Sequence, residues 1–311
     1  MNDSQEMFVI DTAEHPTVDL FGNAVEIKTK LRDRFLEPPF SVLNANGGDW
    51  MKRKQAWSRL GIKSELTREH IETYGDSITK LRAKLSPGSK ELATVSIFDP
   101  VLCELFYRWF CPEGGAILDP FAGGSVRGIV AKYLGYNYAG VDLSVKQIAA
   151  NIENAKEIFK TENPSELPRW FCGDSEEVLS STERTALFDC VFSCPPYADL
   201  EVYSDNAKDL SNMTYQQFVD KYRRIIALAV RLLKRGGYAV FVVGEVRDKR
   251  TGYYYGFVQD TIKAFVDAGA GFYNDSILVT AYGTAMLRTH QFTANRKMVK
   301  VHQNILVFKK Y

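Results

Sequence analysis

No apolar run in the chain approaches the roughly 20 residues needed to span a bilayer, so a membrane-embedded role is not expected. There is no C-x-x-C pair either. The five cysteines, Cys103, Cys111, Cys172, Cys190 and Cys194, are odd in number and irregularly spaced. That argues against a disulfide framework and against a structural zinc site, and it fits a reducing cytoplasm. The first residues, Met1-Asn2-Asp3-Ser4-Gln5-Glu6, lack the basic and apolar stretches of a signal peptide. Net charge is also scarce, at +1 over 311 residues, so a nucleic-acid surface would have to come from local charge segregation. What is present, 45% hydrophobic and 25% charged residues, describes a globular chain with one large domain and an appendage, or two domains.

Residues 1–90 read as an N-terminal region, mainly helical, with weak periodicity at its start. Glu37-Pro38-Pro39-Phe40 marks an irregular segment, and Asn44-Ala45-Asn46-Gly47-Gly48-Asp49 a turn. The next stretch, from Trp50 to Leu60, is helix-compatible and places Trp50 and Trp57 one heptad apart. Tryptophans at that spacing read first as core anchors. The interleaved Lys52 and Arg53 are a solvated face or, alternatively, an accessory contact to a phosphate backbone. Ser86-Pro87-Gly88-Ser89 breaks the chain and ends this region.

From about residue 91 to 311 strand and helix patterns alternate, which implies a sheet with crossovers and helices on both faces. Seven strands are expected, near Ala116–Leu118, Tyr138–Leu143, Trp170–Ser175, Phe188–Phe192, Tyr238–Val243, Ser276–Thr280 and Asn304–Phe308. The first leads into Asp119-Pro120-Phe121-Ala122-Gly123-Gly124-Ser125 and then a helix, an arrangement in which backbone can approach a ligand closely. It is not the G-x-G-x-x-G dinucleotide fingerprint. A carboxylate at the strand end favours a ligand with a cationic amino-acid end over one bearing phosphates there. Asp142 ends the second strand, about 20 residues beyond the glycine loop, where it can accept hydrogen bonds from ribose hydroxyls. Asp174 ends the third. Any one of the three is a plausible helix cap, but three at one sheet edge point to a ligand site.

The fourth strand runs into Ser193-Cys194-Pro195-Pro196-Tyr197. Two prolines cannot continue a ladder, so a stiff loop follows, with a ring that can stack on a flat substrate at the edge where α/β proteins bind ligands. The polar stretch from Ala198 to Met213 reads as a lid. Its carboxylates lack a nearby histidine, so no metal is expected. Arg247 lies in a charged, aromatic loop after the fifth strand. From Ser276 onward there is no acidic side chain, while Arg288, His290, Arg296, Lys297 and Lys300 cluster between the last two strands. That cationic segment is a candidate contact to phosphates and base edges.

Asp119-Pro120-Phe121-Ala122-Gly123-Gly124 resembles the D-P-F-x-G-x-G cofactor motif of S-adenosylmethionine-dependent DNA amino-methyltransferases, which act on N4 of cytosine or N6 of adenine. Cys194-Pro195-Pro196-Tyr197 resembles their D/N/S-P-P-Y/F/W catalytic motif. Ser96-Ile97-Phe98-Asp99-Pro100 is similar to the segment that packs against the methionine end of the cofactor, and residues 302–308 to the last strand. The likeness covers roughly residues 95–311 and implies a Rossmann-like class I methyltransferase fold with a mixed seven-stranded sheet. It implies S-adenosylmethionine as cofactor, with Asp119, Gly123 and Gly124 at its methionine end, Asp142 on the ribose, Asp174 on the adenine amine, and Phe121 and Phe98 as walls. It also implies Cys194, Pro195, Pro196 and Tyr197 as catalytic, duplex DNA with a flipped base as partner, and a setting such as restriction-modification in bacterial or phage-infected cytoplasm. A homodimer is compatible with it.

The departure is Cys194, where the family has Asp, Asn or Ser. A thiol is a weak hydrogen-bonding group. Its size is nearest to Ser, which leans the expectation toward N4-cytosine. The alternative is that Cys194 is a covalent nucleophile for C5 of a pyrimidine. The residues are also compatible with an RNA methyltransferase and with a non-catalytic nucleic-acid-binding protein.

Overall fold

The computed structural model describes residues 17–18, 24–25, 31–62, 98–196, 210–248, 250–280 and 285–311. The described residues fall into two compact units, one up to Phe40 and one from Ser41 to Tyr311. The first holds a two-residue antiparallel pair, β1 (Thr17–Val18) with β2 (Ala24–Val25), and a short helix α1 (Leu31–Phe35).

The second unit is built on one sheet. In chain order its elements are β3 (Val42–Asn44), α2 (Gly48–Arg59), α3 (Pro100–Phe110), β4 (Ala116–Asp119), α4 (Val126–Tyr133), β5 (Asn137–Asp142), α5 (Val145–Phe159), β6 (Arg169–Cys172), α6 (Ser175–Ser180), β7 (Phe188–Ser193), α7 (Tyr215–Leu232), β8 (Leu233–Val243), α8 (Phe257–Asp267), β9 (Ala270–Val279), α9 (His290–Asn295) and β10 (His302–Lys310). The strand order is β3-β9-β10-β8-β7-β4-β5-β6. β10 is antiparallel to both its neighbours, and the other pairings are parallel. Counted from β4, this is the order 3-2-1-4-5-7-6 of the Rossmann-like methyltransferase fold.

The sheet therefore has eight strands rather than the seven expected. The addition is β3, which pairs in parallel with β9 through Val42↔Ile277 and Asn44↔Val279. Three residues next to a Pro-Pro turn carry too little periodicity to be read as a strand. Their partner is more than 230 residues away, so nothing local signals the pairing. β8 and β9 also begin earlier than their apolar runs: Gly236 and Gly237 continue the chain from α7 straight into β8.

Strand alternation splits the core between two faces. Val191, Ala239, Phe241 and Val243 face α6, α7 and α8, with Phe218, Tyr222, Phe257 and Phe265 buried among them. Phe192 points the other way, against Phe106 and Tyr107 of α3. α3 starts where Asp99 caps it: its carboxylate accepts from the Val101 amide at 3.0 Å, and Pro100 takes the first position.

Candidate functional site

Because β4 to β8 run parallel, their carboxyl ends share one edge. Asp119 sits opposite Gly140 and Asp142 opposite Cys172 in the ladder, and Ser193 opposite Phe241. The antiparallel β10 brings His302 to the same edge, opposite Val279. The edge thus gathers the three aspartates, the Ser193-Cys194-Pro195-Pro196 loop and the basic segment before β10. Tyr197, Ser96 and Ile97 lie outside the described residues, as does most of the stretch read as a lid.

The three aspartates do different jobs. Asp119 is fully buried. Its Oδ2 accepts from Arg127 Nε at 2.6 Å and the Tyr138 hydroxyl at 2.8 Å, and its Oδ1 from the Ser193 hydroxyl at 2.6 Å and the Phe121 amide at 3.2 Å. An ammonium reaching this carboxylate would have to displace one of those donors. Asp174 caps α6 by accepting from the Glu176 amide at 2.9 Å, and it pairs with the buried Lys221 of α7. Asp142 instead lies half-buried at the rim, where the Gly123 and Ser144 amides donate to it at 2.9 and 2.8 Å.

Arg127 organises the glycine loop from beneath. Besides Asp119, its guanidinium donates to the carbonyls of Phe121 and Ala122, the latter at 2.8 Å. The Phe98 ring covers it, with the guanidinium carbon 4.8 Å from the ring centre. Burial alone works against its charge, but Asp119, with Tyr138 and Cys194 adding to it, holds its pKa above the ordinary arginine value. Burial, and then Asp119, push the Tyr138 hydroxyl well up. A second support comes from α5. Asn151 donates to the Gly123 carbonyl at 2.7 Å, Gln147 donates to Asn151 at 2.9 Å, and Asn154 accepts from the Ser125 hydroxyl at 2.9 Å. Gly123 adopts φ of +50°, in the left-handed region where glycine is favoured. Gly124 is half-buried beside it. Phe121 lies partly buried against Tyr222 and Phe241, with ring centres 5.9 and 6.4 Å away.

Ser193 is fully buried, while Cys194 and Pro196 are half-buried and Pro195 is buried. Cys194 lies close enough to Arg127 and Tyr222 to act on both electrostatically.

The residues expected to meet nucleic acid separate into two groups. Arg53 donates to the fully buried Glu104 at 2.8 Å, beside the Trp57 indole N–H at 2.8 Å; Trp50 and Lys54 likewise bond to Asp99. Arg53 is thus part of the α2–α3 joint, and both tryptophans are core. Lys52 is largely exposed, 3.8 Å from Asp49. Arg247 stacks on Tyr254 at 3.6 Å and donates to the Gly252 carbonyl at 2.8 Å. His290 and Arg296 are exposed, and Arg288, Lys297 and Lys300 half-buried. Burial lowers the Lys300 pKa against the opposing pull of Glu245, and burial together with Lys300 lowers that of His302.

Arg127, Tyr138, Lys221 and the α5 amides are site residues that the sequence reading misses. It holds two signals for them. Arg127 is a cation inside the apolar run Val126-Arg127-Gly128-Ile129-Val130, and Gln147, Asn151 and Asn154 recur at helical spacing on one face.

The S-adenosylmethionine cofactor can be weighed against this geometry. A glycine turn fixed by Arg127 and Asn151, a half-buried rim carboxylate held by two amides, and the Phe98 ring fit its methionine end, its ribose and its apolar surface. The Asp119 and Asp174 carboxylates are already met by internal cations.

Residues 114–233, 120 of the chain's 311, match the model of a family described as RNA cap guanine-N2 methyltransferase. No curated protein matches the chain. Among solved structures, TrmN from Thermus thermophilus is 14% identical over 69% of this chain and 49% of its own, with a TM-score of 0.45. A candidate DNA modification methylase, also from Thermus thermophilus and solved with S-adenosyl-L-methionine, is 25% identical over 44% of this chain and 53% of its own, with a TM-score of 0.34. A TehB-like S-adenosylmethionine-dependent methyltransferase from Corynebacterium glutamicum is 17% identical over 76% of this chain and 96% of its own, with a TM-score of 0.41. The chain spans about half the length of the first two. None of these likenesses bears on the activity. The strand order gives the chain a Rossmann-like fold, and the family match over residues 114–233 spans the glycine loop and the Ser193-Cys194-Pro195-Pro196 loop.

Proposed function

We propose that the protein transfers a methyl group to an exocyclic amine of a base in DNA, with N4 of cytosine favoured over N6 of adenine. The observation that carries this reading is the Ser193-Cys194-Pro195-Pro196 loop leaving β7 directly beside the glycine loop of β4, with Ser193 bonded to Asp119. An exocyclic amine is a poor nucleophile because its lone pair is delocalised into the ring. Cys194 and the Pro195 carbonyl would accept its hydrogens and turn the lone pair toward the methyl group. Tyr197 would stack on the flipped base. The cofactor supplies an electrophilic methyl group. The chain's share is orientation of two bound partners for in-line displacement, worth up to about 7–11 kcal/mol in well-aligned systems.

On the cofactor side, Asp142 would take the ribose hydroxyls and the Gly123-Gly124 turn the methionine end. Asp119 would act through Arg127 and the loop, and Asp174 through its cap of α6, rather than by displacing their cations. Arg288, His290, Arg296, Lys297 and Lys300 would meet the phosphates, with Arg247 and Lys52 farther out.

A second reading, methylation of a guanine N2 amine in RNA, is favoured by the family match over residues 114–233. It needs the same amine-orienting chemistry. Nucleoside mass spectrometry of plasmid DNA and transcribed RNA, incubated with the protein and methyl-labelled cofactor, separates the two. N4-methylcytosine or N6-methyladenine is the expected product, and N2-methylguanosine would replace DNA by RNA. If 5-methylcytosine formed, with a 5-fluoropyrimidine adduct lost in Cys194→Ser, the amine route would be wrong and Cys194 would be the nucleophile.

A further inference from the structure

We propose that Ser193 is a positioning residue for methyl transfer, fixing the facing of the Cys194-Pro195-Pro196 loop by its bond to Asp119. The inference rests on the methyltransferase reading above. Pro195 and Pro196 have no N–H to donate to a ladder and a fixed φ, so the direction in which the chain enters them counts for more than in an ordinary loop. Its direction is set at its base. There the Ser193 hydroxyl, fully buried, donates to Asp119 Oδ1 at 2.6 Å.

Asp119 is the shared anchor. Its other oxygen accepts from Arg127 Nε at 2.6 Å, and the same guanidinium holds the carbonyls of Phe121 and Ala122. The loop that carries the amine-orienting groups and the loop that carries the cofactor's methionine end therefore close on one carboxylate. Beyond the β4–β7 ladder, two short bonds to that carboxylate tie the two loops together. A polar group buried merely for structural reasons would need a partner, but not one whose second oxygen anchors the opposite half of the reaction. Misplacement by about 1 Å can cost about 10²-fold in rate.

Ser193→Ala is the test. Asp119 keeps Arg127, Tyr138 and the Phe121 amide, so the fold and the cofactor loop are expected to persist. At saturating cofactor and plasmid DNA or transcribed RNA, kcat should fall about tenfold or more, with the cofactor Kd by calorimetry and the melting temperature little changed. Loss of cofactor affinity in step with kcat, or an unchanged kcat, would overturn the proposal. A second readout needs no methyl transfer. Alkylation of Cys194 by N-ethylmaleimide, followed by mass spectrometry against the exposed Cys172 as internal reference, should change in rate several-fold in Ser193→Ala, since the loop is no longer held. An unchanged ratio would overturn the proposal even if the wild-type protein methylated neither probe, an outcome that by itself would count against the proposed function only. Ser193→Thr keeps the hydroxyl and should keep the wild-type alkylation ratio. A ratio like that of Ser193→Ala would contradict the role of the hydroxyl.

Discussion

Helix α2 and the segment from Arg288 to Lys300 are both basic and both carry aromatic rings, yet the fold uses their cations in opposite ways. In α2, Arg53 and Lys54 turn onto Glu104 and Asp99 of α3, and the tryptophan N–H groups satisfy the same carboxylates. Between β9 and β10 no acidic side chain occurs in sequence, and Arg296 stays at the surface. A cation count alone does not identify a phosphate-binding surface. Cations whose charge is already matched by buried acids are part of the scaffold, whereas the exposed Arg296, over the Phe292 ring, has no acidic neighbour in its own segment. The three strand-end aspartates differ in a similar way by the kind of donor that holds them. Asp119 and Asp174 are matched by Arg127 and Lys221, whereas Asp142 is held by amides at the rim.

This contrast can be broken most sharply at Arg127. Arg127→Met leaves the Asp119 carboxylate buried without its ion-pair partner, and removing one member of such a pair costs about 3–5 kcal/mol. Urea unfolding should show that loss, and a change under about 1 kcal/mol would mean that Tyr138 and Ser193 suffice. Arg53→Met should follow with about 1–3 kcal/mol, since Glu104 keeps the Trp57 N–H, while the salt dependence of nucleic-acid binding stays as in the wild type. Asp142→Ala should weaken cofactor binding by about tenfold, on the order of 1.4 kcal/mol, and cost about 1–3 kcal/mol in stability through the Gly123 and Ser144 amides it leaves unmet. Unchanged cofactor affinity beside that stability loss would place Asp142 in the scaffold alone. Replacing Arg296 and Lys297 by Ala should lower the slope of log affinity against log salt by about 0.9 for each phosphate no longer neutralised, with little effect on folding. Lys52→Ala is the smallest, within about 0.5 kcal/mol for folding. Should Lys52→Ala weaken nucleic-acid binding more than the Arg296 and Lys297 changes, the contrast between the two regions would be reversed.

Much of the fold is readable in the sequence because each strand is a short apolar run closed by a turn signal. The carboxyl-edge aspartates, the glycine turn and the Pro-Pro break all lie at such closures. What stays hidden depends on distance in sequence. β3 needs β9 for its ladder, and Glu104 needs α2 for its partners, pairings that no local pattern announces. The same limit applies to the site. The motif residues stand out as chemical types, but whether a carboxylate is free or engaged is settled by residues such as Lys221, 47 positions from Asp174. Arg127 lies in plain view in an apolar helix face, a local conflict between residue type and environment that marks a buried partner.

The amide row on α5 has a thermodynamic corollary. Because Asn151 and Arg127 already hold the glycine turn through its own carbonyls, the turn has little order left to gain when a ligand arrives. Cofactor binding should then show the modest negative heat-capacity change of covering apolar surface alone, without the large term that accompanies coupled folding. Titration calorimetry across about 10–35 °C would reveal it, and loss of the Asn151 amide in Asn151→Leu should make both the binding enthalpy and the binding entropy more negative, with largely cancelling contributions to the free energy, as a turn that must first be ordered requires.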